Sequence, residues 1–147
     1  MRPAQPDDLN PILALEHSGF PPRERWSRAS WASELEADNR IVLVEGSDAV
    51  TGVASVQHVG GVAELNRIIV ASDARGAGLG RALLVAGITA AREVECEEML
   101  LEVRHDNAPA LALYGANGFE EIARRTNYYG AGIDAVIMRL ELEADDE

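Results

Sequence analysis

The spacing of apolar and polar residues along the chain predicts alternating helices and strands. Apolar residues that recur every three or four positions, as they do from 79 to 94, are typical of a helix that packs one face on a sheet. Short β-branched runs, such as 41–45, are typical of strands. This pattern predicts helices over 9–18, 28–37, 79–94 and 108–117, and strands over 2–4, 41–45, 51–59, 62–71, 99–104, 119–126 and 133–142.

Turn-forming residues predict how these elements connect. Gly60 and Gly61 separate two β-prone runs, which is typical of a tight antiparallel hairpin, and Gly46, Ser47 and Asp48 predict another turn. The helix over 79–94 lies between two strands, so these two strands should be parallel neighbours. The order of elements therefore predicts a three-layer α/β domain with a mixed sheet.

Composition limits the kinds of partner. Among 147 residues, 25 Asp and Glu face 13 basic residues, all of them arginine, and the net charge of -12 disfavours nucleic-acid backbone and favours a basic partner. No apolar run approaches the ~20 residues of a membrane span, and the first residues lack a signal-peptide pattern. One cysteine, Cys96, and three dispersed histidines predict no disulfide and no metal site. We expect one cytoplasmic domain over 1–142, followed by an acidic tail over 143–147.

A glycine-rich segment stands between the strand at 62–71 and the helix that follows. It reads Arg75-Gly76-Ala77-Gly78-Leu79-Gly80-Arg81. Its glycines permit close approach of a ligand, and the free N–H groups at a helix start attract phosphate oxygens. The spacing does not match a dinucleotide fingerprint, since position 81 is arginine, or a Walker loop, since the chain has no lysine. Such segments also occur as plain connectors, so the pattern alone leaves both interpretations open.

Two longer stretches resemble a known family. IIVASDARGAGLGRALL at 68–84 and LEVRHDNAPALALYGANGFEEIARRTNYY at 101–129 are similar to the cofactor segment and the second half of the GNAT family of acyl-CoA-dependent N-acyltransferases. LEVR, DNAPALALY, NGF and RR-x-NYY resemble its RimI-type branch, which acetylates the amino-terminal alanine of a small-subunit ribosomal protein. FPPRERWS at 20–27 is similar to the Phe-Pro…Trp-Ser segment of that branch, with a longer distance between Pro21 and Trp26.

The resemblance implies a fold, a cofactor and a partner. The fold is a three-layer GNAT-like domain with a mixed, mostly antiparallel seven-stranded sheet and about four helices. The cofactor is acetyl-CoA, and the partner is a protein or peptide N-terminus, expected to belong to a basic ribosomal protein. Neither nucleic acid nor membrane is expected to bind directly.

The resemblance also implies roles for individual residues. Glu102 would be the general base and Tyr114 the general acid, with Glu64 as a competing base because some members use a carboxylate on that strand. A bulge near Ile69 and Val70 would present an N–H group to the thioester carbonyl. The residues implied for the cofactor are Ile68, Ile69, Val70, Arg75, Gly76, Ala77, Gly78, Leu79, Gly80, Arg81 and Asn107. Those implied for the acceptor are Phe20, Trp26, Tyr128 and Tyr129.

Each of these residues also has a plain structural interpretation. The glutamates can be solvated strand residues, the aromatic residues can belong to the core, and Asn107 can cap a helix with or without a cofactor contact. Two other functions also stay open. One is acetylation of a small-molecule amine on the same fold, and the other is a non-catalytic acyl-CoA-binding module.

Overall fold

The computed structural model describes residues 1–46 and 49–142. Residues 47 and 48 of the predicted turn and the predicted acidic tail lie outside the described residues. The strands are β1 Arg2–Pro3, β2 Arg40–Glu45, β3 Gly52–Val59, β4 Val62–Val70, β5 Glu98–Arg104, β6 Glu120–Gly130 and β7 Ile133–Glu141. The helices are α1 Leu9–Gly19, α2 Arg28–Glu36, α3 Leu79–Glu93 and α4 Ala108–Ala116.

The seven strands form one sheet in the order β1-β2-β3-β4-β5-β7-β6. Neighbouring strands are antiparallel except β4 and β5, which are parallel and are connected through α3. The predicted mixed, mostly antiparallel sheet with four helices is therefore confirmed. The parallel pairing joins only 62–64 to 98–100, although both strands continue beyond it. An opening therefore lies between the later parts of β4 and β5.

Apolar residues form a core on each face of the sheet, which gives the three predicted layers. On one face, Leu84 and Ile88 of α3 pack with Met99 and Leu101 of β5, and α4 joins this core. On the other face, residues of α1 and α2 pack on β2, β3 and β4. Burial of these apolar surfaces is the main force that holds the helices on the sheet. No helix within 1–46 and 49–142 is long and apolar enough to cross a membrane.

Local signals in the sequence fix several element ends. The Ser27 hydroxyl accepts a hydrogen bond from the Ser30 N–H at 3.0 Å, so Ser27 caps α2 as predicted. Gly60 and Gly61 have positive φ angles of 61° and 86°, and the strands on either side form the predicted hairpin.

The bulge in β4 is three residues earlier than predicted. Ser55 pairs with Arg67 while Val56 pairs with Leu65, so the extra residue is Asn66, and the prediction of a bulge near Ile69 and Val70 is wrong. A bulge turns two consecutive side chains towards one face. Here it sends Asn66 and Arg67 to the face of α1 and α2, where the side chains of Asn66 and Arg67 bind buried carboxylates.

Strand β6 extends further than predicted, to Gly130. Asn127 has a left-handed backbone with φ 57°, and its N–H donates to Asp134 Oδ1 at 2.9 Å. Its side-chain oxygen accepts from the Gly132 N–H at 2.7 Å. These contacts with β7 and the turn carry the strand past its irregular point, so Tyr128 and Tyr129 belong to β6 rather than to a loop.

Candidate active site

Two glutamates stand at the opening between β4 and β5. Glu64 belongs to the last pair of the parallel ladder, opposite Leu100, and Glu102 lies two residues further along β5. Their neighbours along each strand belong to the core beneath α3 and α4. Because side chains alternate along a strand, both carboxylates lie on the α1–α2 face. The structure thus brings both predicted base candidates to the same side of the sheet.

Glu102 has close polar neighbours. Its Oε2 lies 3.2 Å from Nε of Arg125, and 32% of its side chain is exposed. Burial raises the pKa of Tyr129, and the negative charge of Glu102 raises this pKa further. Glu102 and the predicted acceptor residue Tyr129 therefore share one environment. Glu64 is exposed.

Tyr114 lies on the other side of the opening. It belongs to α4 and to the core beneath α3 and α4, with its ring 5.8 Å from that of Phe119. Burial raises the pKa of Tyr114 to about 12, and the nearby Tyr129 contributes to the shift. Its hydroxyl is therefore protonated at neutral pH and can donate a proton. Tyr129 is close to both Tyr114 and Glu102, which lie on opposite faces of the sheet.

Arg67, which was not predicted from the sequence, contacts two predicted acceptor residues, Phe20 and Trp26. The guanidinium carbon of Arg67 lies 3.7 Å from the centroid of the Phe20 ring and 4.8 Å from that of Trp26. Its Nη2 also donates to Glu16 Oε2 at 2.6 Å. A signal was present, since Arg67 stands directly before the apolar residues 68–70 that lead to the glycine-rich segment. Phe20 and Trp26 are half-buried and pack on the α1–α2 core. Each ring therefore contacts both the core and the Arg67 guanidinium.

Two further polar residues also went unpredicted. Arg104 of β5 donates to Glu24 Oε2 at 2.7 Å, and its guanidinium lies 6.0 Å from the ring centroid of Tyr129. Glu24 belongs to the segment between α1 and α2. Tyr128 is half exposed, and its ring centroid is 5.1 Å from that of Tyr129. The two tyrosines of β6 and the segment before α2 therefore flank the glutamates.

The glycine-rich segment has the geometry of an anion site. Gly76 and Gly78 have φ angles of 88° and 82°, and a Cβ placed on either would meet no atom within 4 Å. Helix α3 begins at Leu79, so its first N–H groups have no acceptor within the helix. Arg75 and Arg81 are exposed beside them. Open space, free N–H groups and two cations fit a diphosphate.

The last residues of β4 differ in where their backbone groups point. The Ala71 N–H bonds the Thr51 carbonyl at 2.8 Å, and Val53 pairs with Ile69. Because bonded and non-bonded pairs alternate in an antiparallel ladder, the N–H of Ile69 faces β3, whereas those of Ile68 and Val70 face the opening. The Val70 carbonyl accepts from Arg75 Nε at 3.1 Å. Ile68 and Val70 are thus the backbone groups that can meet a cofactor arm.

Asn107 acts as the predicted helix cap through its side chain. Its Oδ1 accepts from the Ala110 N–H at 3.2 Å at the start of α4. The oxygen is therefore engaged, and Nδ2 is the part of this amide that can meet a cofactor.

A cleft lies on the α1–α2 side of the sheet, next to Trp26 and Asn66. It has a volume of about 500 Å³. Its walls include Trp26, Ser30, Ser33, Glu34, Arg40 and Asn66. A molecule larger than a single amine therefore has room beyond Trp26.

Comparison with known proteins defines the class. Residues 7–119 match the model of the Acetyltransferase (GNAT) family, and the chain belongs to this family. It is accordingly an N-acetyltransferase that uses acetyl-CoA, the acetyl donor of the family.

Some individual relatives have names that state a more specific activity than the family name does. The [ribosomal protein bS18]-alanine N-acetyltransferase of Escherichia coli K12 is 35% identical over 146 residues, which cover 91% of this chain and 99% of that protein. The crystal structure of the ribosomal-protein-S18-alanine N-acetyltransferase from Escherichia coli has a TM-score of 0.89 at 31% identity, covering 99% of this chain and 94% of that one. An uncharacterized protein of Mycobacterium leprae is 35% identical over 94% of this chain, which spans only 39% of that relative's length.

Proposed function

We propose that this enzyme acetylates the N-terminal α-amine of a protein, and that the acceptor is the N-terminal alanine of a small-subunit ribosomal protein. The observation that carries this proposal is the similarity to an Escherichia coli enzyme with that named activity, which covers 91% of this chain and 99% of that enzyme. The aromatic wall of Phe20 and Trp26 and the cleft beyond it support a peptide acceptor. The reaction would take place in the cytoplasm, and residues 1–142 would be its single domain.

The proposed chemistry divides proton transfer between the two faces of the opening. Acetyl-CoA supplies an acetyl group activated as a thioester. On the α1–α2 face, Glu102 accepts the proton of the acceptor ammonium, whose pKa near 7.7–8.0 makes this a modest demand. The neutral amine then attacks the thioester carbon and the carbon–sulfur bond breaks. On the α3–α4 face, Tyr114 donates a proton to the departing sulfur. The second proton, which the nitrogen loses as the amide forms, returns Tyr114 to its protonated state through solvent. Glu102 lies beyond the last pair of the parallel ladder, whereas Glu64 belongs to that pair, and this position at the opening supports Glu102 over Glu64 as the base.

Backbone donors would orient the other reacting groups. The N–H groups of Gly76, Gly78 and the first turn of α3 hold the diphosphate, with Arg75 and Arg81 beside them. The N–H groups of Ile68 and Val70, which face the opening, hold the thioester arm and polarise its carbonyl. Such donors contribute because they are already oriented before the reaction begins.

Charges on the α1–α2 face support a basic acceptor. The side chains of Glu64, Glu98 and Glu102 all point to this face, and the whole chain has a net charge of -12. Arg139 and Arg125 pair with Glu98 and Glu102, which leaves the exposed Glu64 to add negative charge. A peptide with basic residues after its first position would be attracted to this surface.

The test uses synthetic peptides that differ only in the first residue. Peptides that begin with alanine, serine or glycine, the alanine peptide with a blocked N-terminus, and a panel of small amines are offered with acetyl-CoA. Thiol release gives the rate, and mass spectrometry locates the acetyl group. We expect the highest kcat/KM for the free alanine peptide and no turnover of the blocked one. Faster turnover of a small amine, or acetylation of a side chain, would contradict the proposal.

A further inference from the structure

The segment between Pro21 and Trp26 carries a carboxylate to the opening between β4 and β5. Its residues Pro22–Glu24 form one 3-10 turn, in which the Glu24 N–H donates to the Pro21 carbonyl at 2.9 Å. Only 15% of the Glu24 side chain is exposed. The turn thus holds a largely buried acidic group at the acceptor side of the opening.

Glu24 contacts both of the diverging strands. Its Oε2 accepts from Nη1 of Arg104 on β5 at 2.7 Å, and its carbonyl oxygen accepts from Nη2 of Arg67 on β4. The ladder between these strands ends at Glu64 and Leu100. Glu24 therefore joins β4 to β5 at a level where no backbone pair joins them. We refer to Arg67, Glu24 and Arg104 as the arginine bridge.

The arginine bridge also determines where the aromatic wall stands. Phe20 and Trp26 both lie against the Arg67 guanidinium, and the Trp26 N–H donates to Glu16 Oε2 at 2.9 Å. Glu16 in turn binds the same guanidinium. Since these contacts share one cation, a movement of Glu24 would change the position of both rings.

The pair between Glu24 and Arg104 should be stronger than an ordinary surface pair. Its two side chains are 15% and 28% exposed, and its hydrogen bond joins two charged groups. Arg104 also pairs with Asp106 through two hydrogen bonds, Nε to Oδ1 at 3.0 Å and Nη2 to Oδ2 at 2.9 Å, and 47% of the Asp106 side chain is exposed to water. The same guanidinium thus binds one largely buried carboxylate at the opening and a second, more exposed carboxylate outside it.

We propose that Glu24 is a positioning residue for the acceptor. Through the arginine bridge it fixes the width of the opening and holds Phe20 and Trp26 where an acceptor N-terminus passes. The inference rests on the proposed function only in taking this side of the opening as the acceptor's entrance. Glu24 acts through the two arginines and the aromatic wall, whereas Glu102 and Tyr114 perform proton transfer.

The test compares Glu24→Gln with Asp106→Asn, which removes the other carboxylate from the same guanidinium. Steady-state kinetics give kcat and KM for acetyl-CoA and for the amine that the wild type accepts best in the panel described above. We expect Glu24→Gln to raise the KM of the acceptor on the order of tenfold, because a neutral amide oxygen accepts from Arg104 more weakly than a carboxylate does, while the backbone bond to Arg67 is kept. The kcat and the KM for acetyl-CoA should stay at wild-type values, and Asp106→Asn should resemble the wild type throughout.

Hydrogen–deuterium exchange supplies a readout that does not depend on turnover. Residues 20–26 should exchange faster in Glu24→Gln than in the wild type or in Asp106→Asn. The double variant Glu24→Gln/Arg104→Gln should raise the acceptor KM no further than the more affected single variant, because both changes act on the same Glu24–Arg104 pair.

Three results would overturn the inference. They are equal behaviour of Glu24→Gln and Asp106→Asn, a fall in kcat at unchanged acceptor KM, and additive effects in the double variant. Failure of the proposed function is seen separately, in the wild type, as absence of peptide turnover.

Discussion

Glu102 and Arg125 form an ion pair across an intervening strand. Glu102 belongs to β5 and Arg125 to β6, with β7 between them, and their side-chain atoms approach to 3.2 Å. Arg125 lies opposite Ala135 of β7, whose small side chain leaves room for the contact. The two side chains are 32% and 56% exposed, so the pair is weakly held. An arriving ammonium group can therefore compete with Arg125 for the carboxylate.

Substitution of Glu102 distinguishes the two candidate bases. We expect Glu102→Gln to lower kcat by about 10²–10⁴, because no carboxylate then takes the proton of the amine, while the shape of the side chain is kept. Glu64→Gln is the matched control, since it neutralises the other carboxylate on the same face. Initial rates at saturating acetyl-CoA and peptide measure both effects. A larger loss in Glu64→Gln would transfer the role of base to Glu64.

Tyr114→Phe tests the proton donor. Phenylalanine keeps the packing against Phe119, so stability should be preserved while kcat falls by about 10²–10⁴. The pKa of Tyr114 is raised to about 12, so the group is an acid that is lost only as the pH rises through that value. The wild type should therefore lose no activity through this group up to about pH 10, the usual tyrosine pKa. An alkaline loss near pH 8 that disappears in Tyr114→Phe would contradict this expectation.

Gly78→Ala tests the anion site. A Cβ here enters open space next to the start of α3, and φ 82° disfavours any side chain, so we expect the KM for acetyl-CoA to rise about tenfold or more. Gly132→Ala is the matched control, because Gly132 has φ 77° and similar open space but lies between β6 and β7. It should lower stability without a change in this KM. Equal KM values in the two variants would exclude a cofactor role for Gly78.

Local signals made much of the fold predictable. The cap at Ser27 and the hairpin at Gly60 and Gly61 depend on nearby atoms, and the structure confirms both. The bulge at Asn66 instead places an amide that donates to Glu34, 32 residues earlier in the chain. The extension of β6 depends on Asp134 in the next strand. Features fixed by distant partners were the ones placed wrongly or ended too early.

The same distinction applies to the site. Glu102, Tyr114 and Gly78 stand in recognisable motifs, so they could be named from the sequence. The contacts of Glu24 with Arg67 and Arg104 span 43 and 80 residues, and no local pattern marks them. These residues are close together only in the folded structure, where β4 and β5 diverge and the segment before α2 lies across the opening.

Among the charged side chains of the α1–α2 layer, the deeply buried Glu16 should be the one whose substitution lowers the free energy of unfolding most. It has no exposed surface, and it accepts hydrogen bonds from Arg67 at 2.6 Å, the Trp31 indole at 2.9 Å and the Trp26 N–H at 2.9 Å. Glu16→Gln leaves the buried guanidinium without its counter-charge, so we expect the free energy of unfolding to fall by about 3–5 kcal/mol.

Urea denaturation measures this loss against Glu121→Gln, which removes an exposed pair with Arg124 and should cost less than about 1 kcal/mol. The double variant Glu16→Gln/Arg67→Met should recover part of the stability, because the unpaired cation is what makes the single variant costly. This double variant should nevertheless bind the acceptor less tightly than the wild type does, because Phe20 and Trp26 lose the cation that they both contact. A double variant less stable than Glu16→Gln would show that packing of Arg67, rather than its charge balance, sets the stability of this layer.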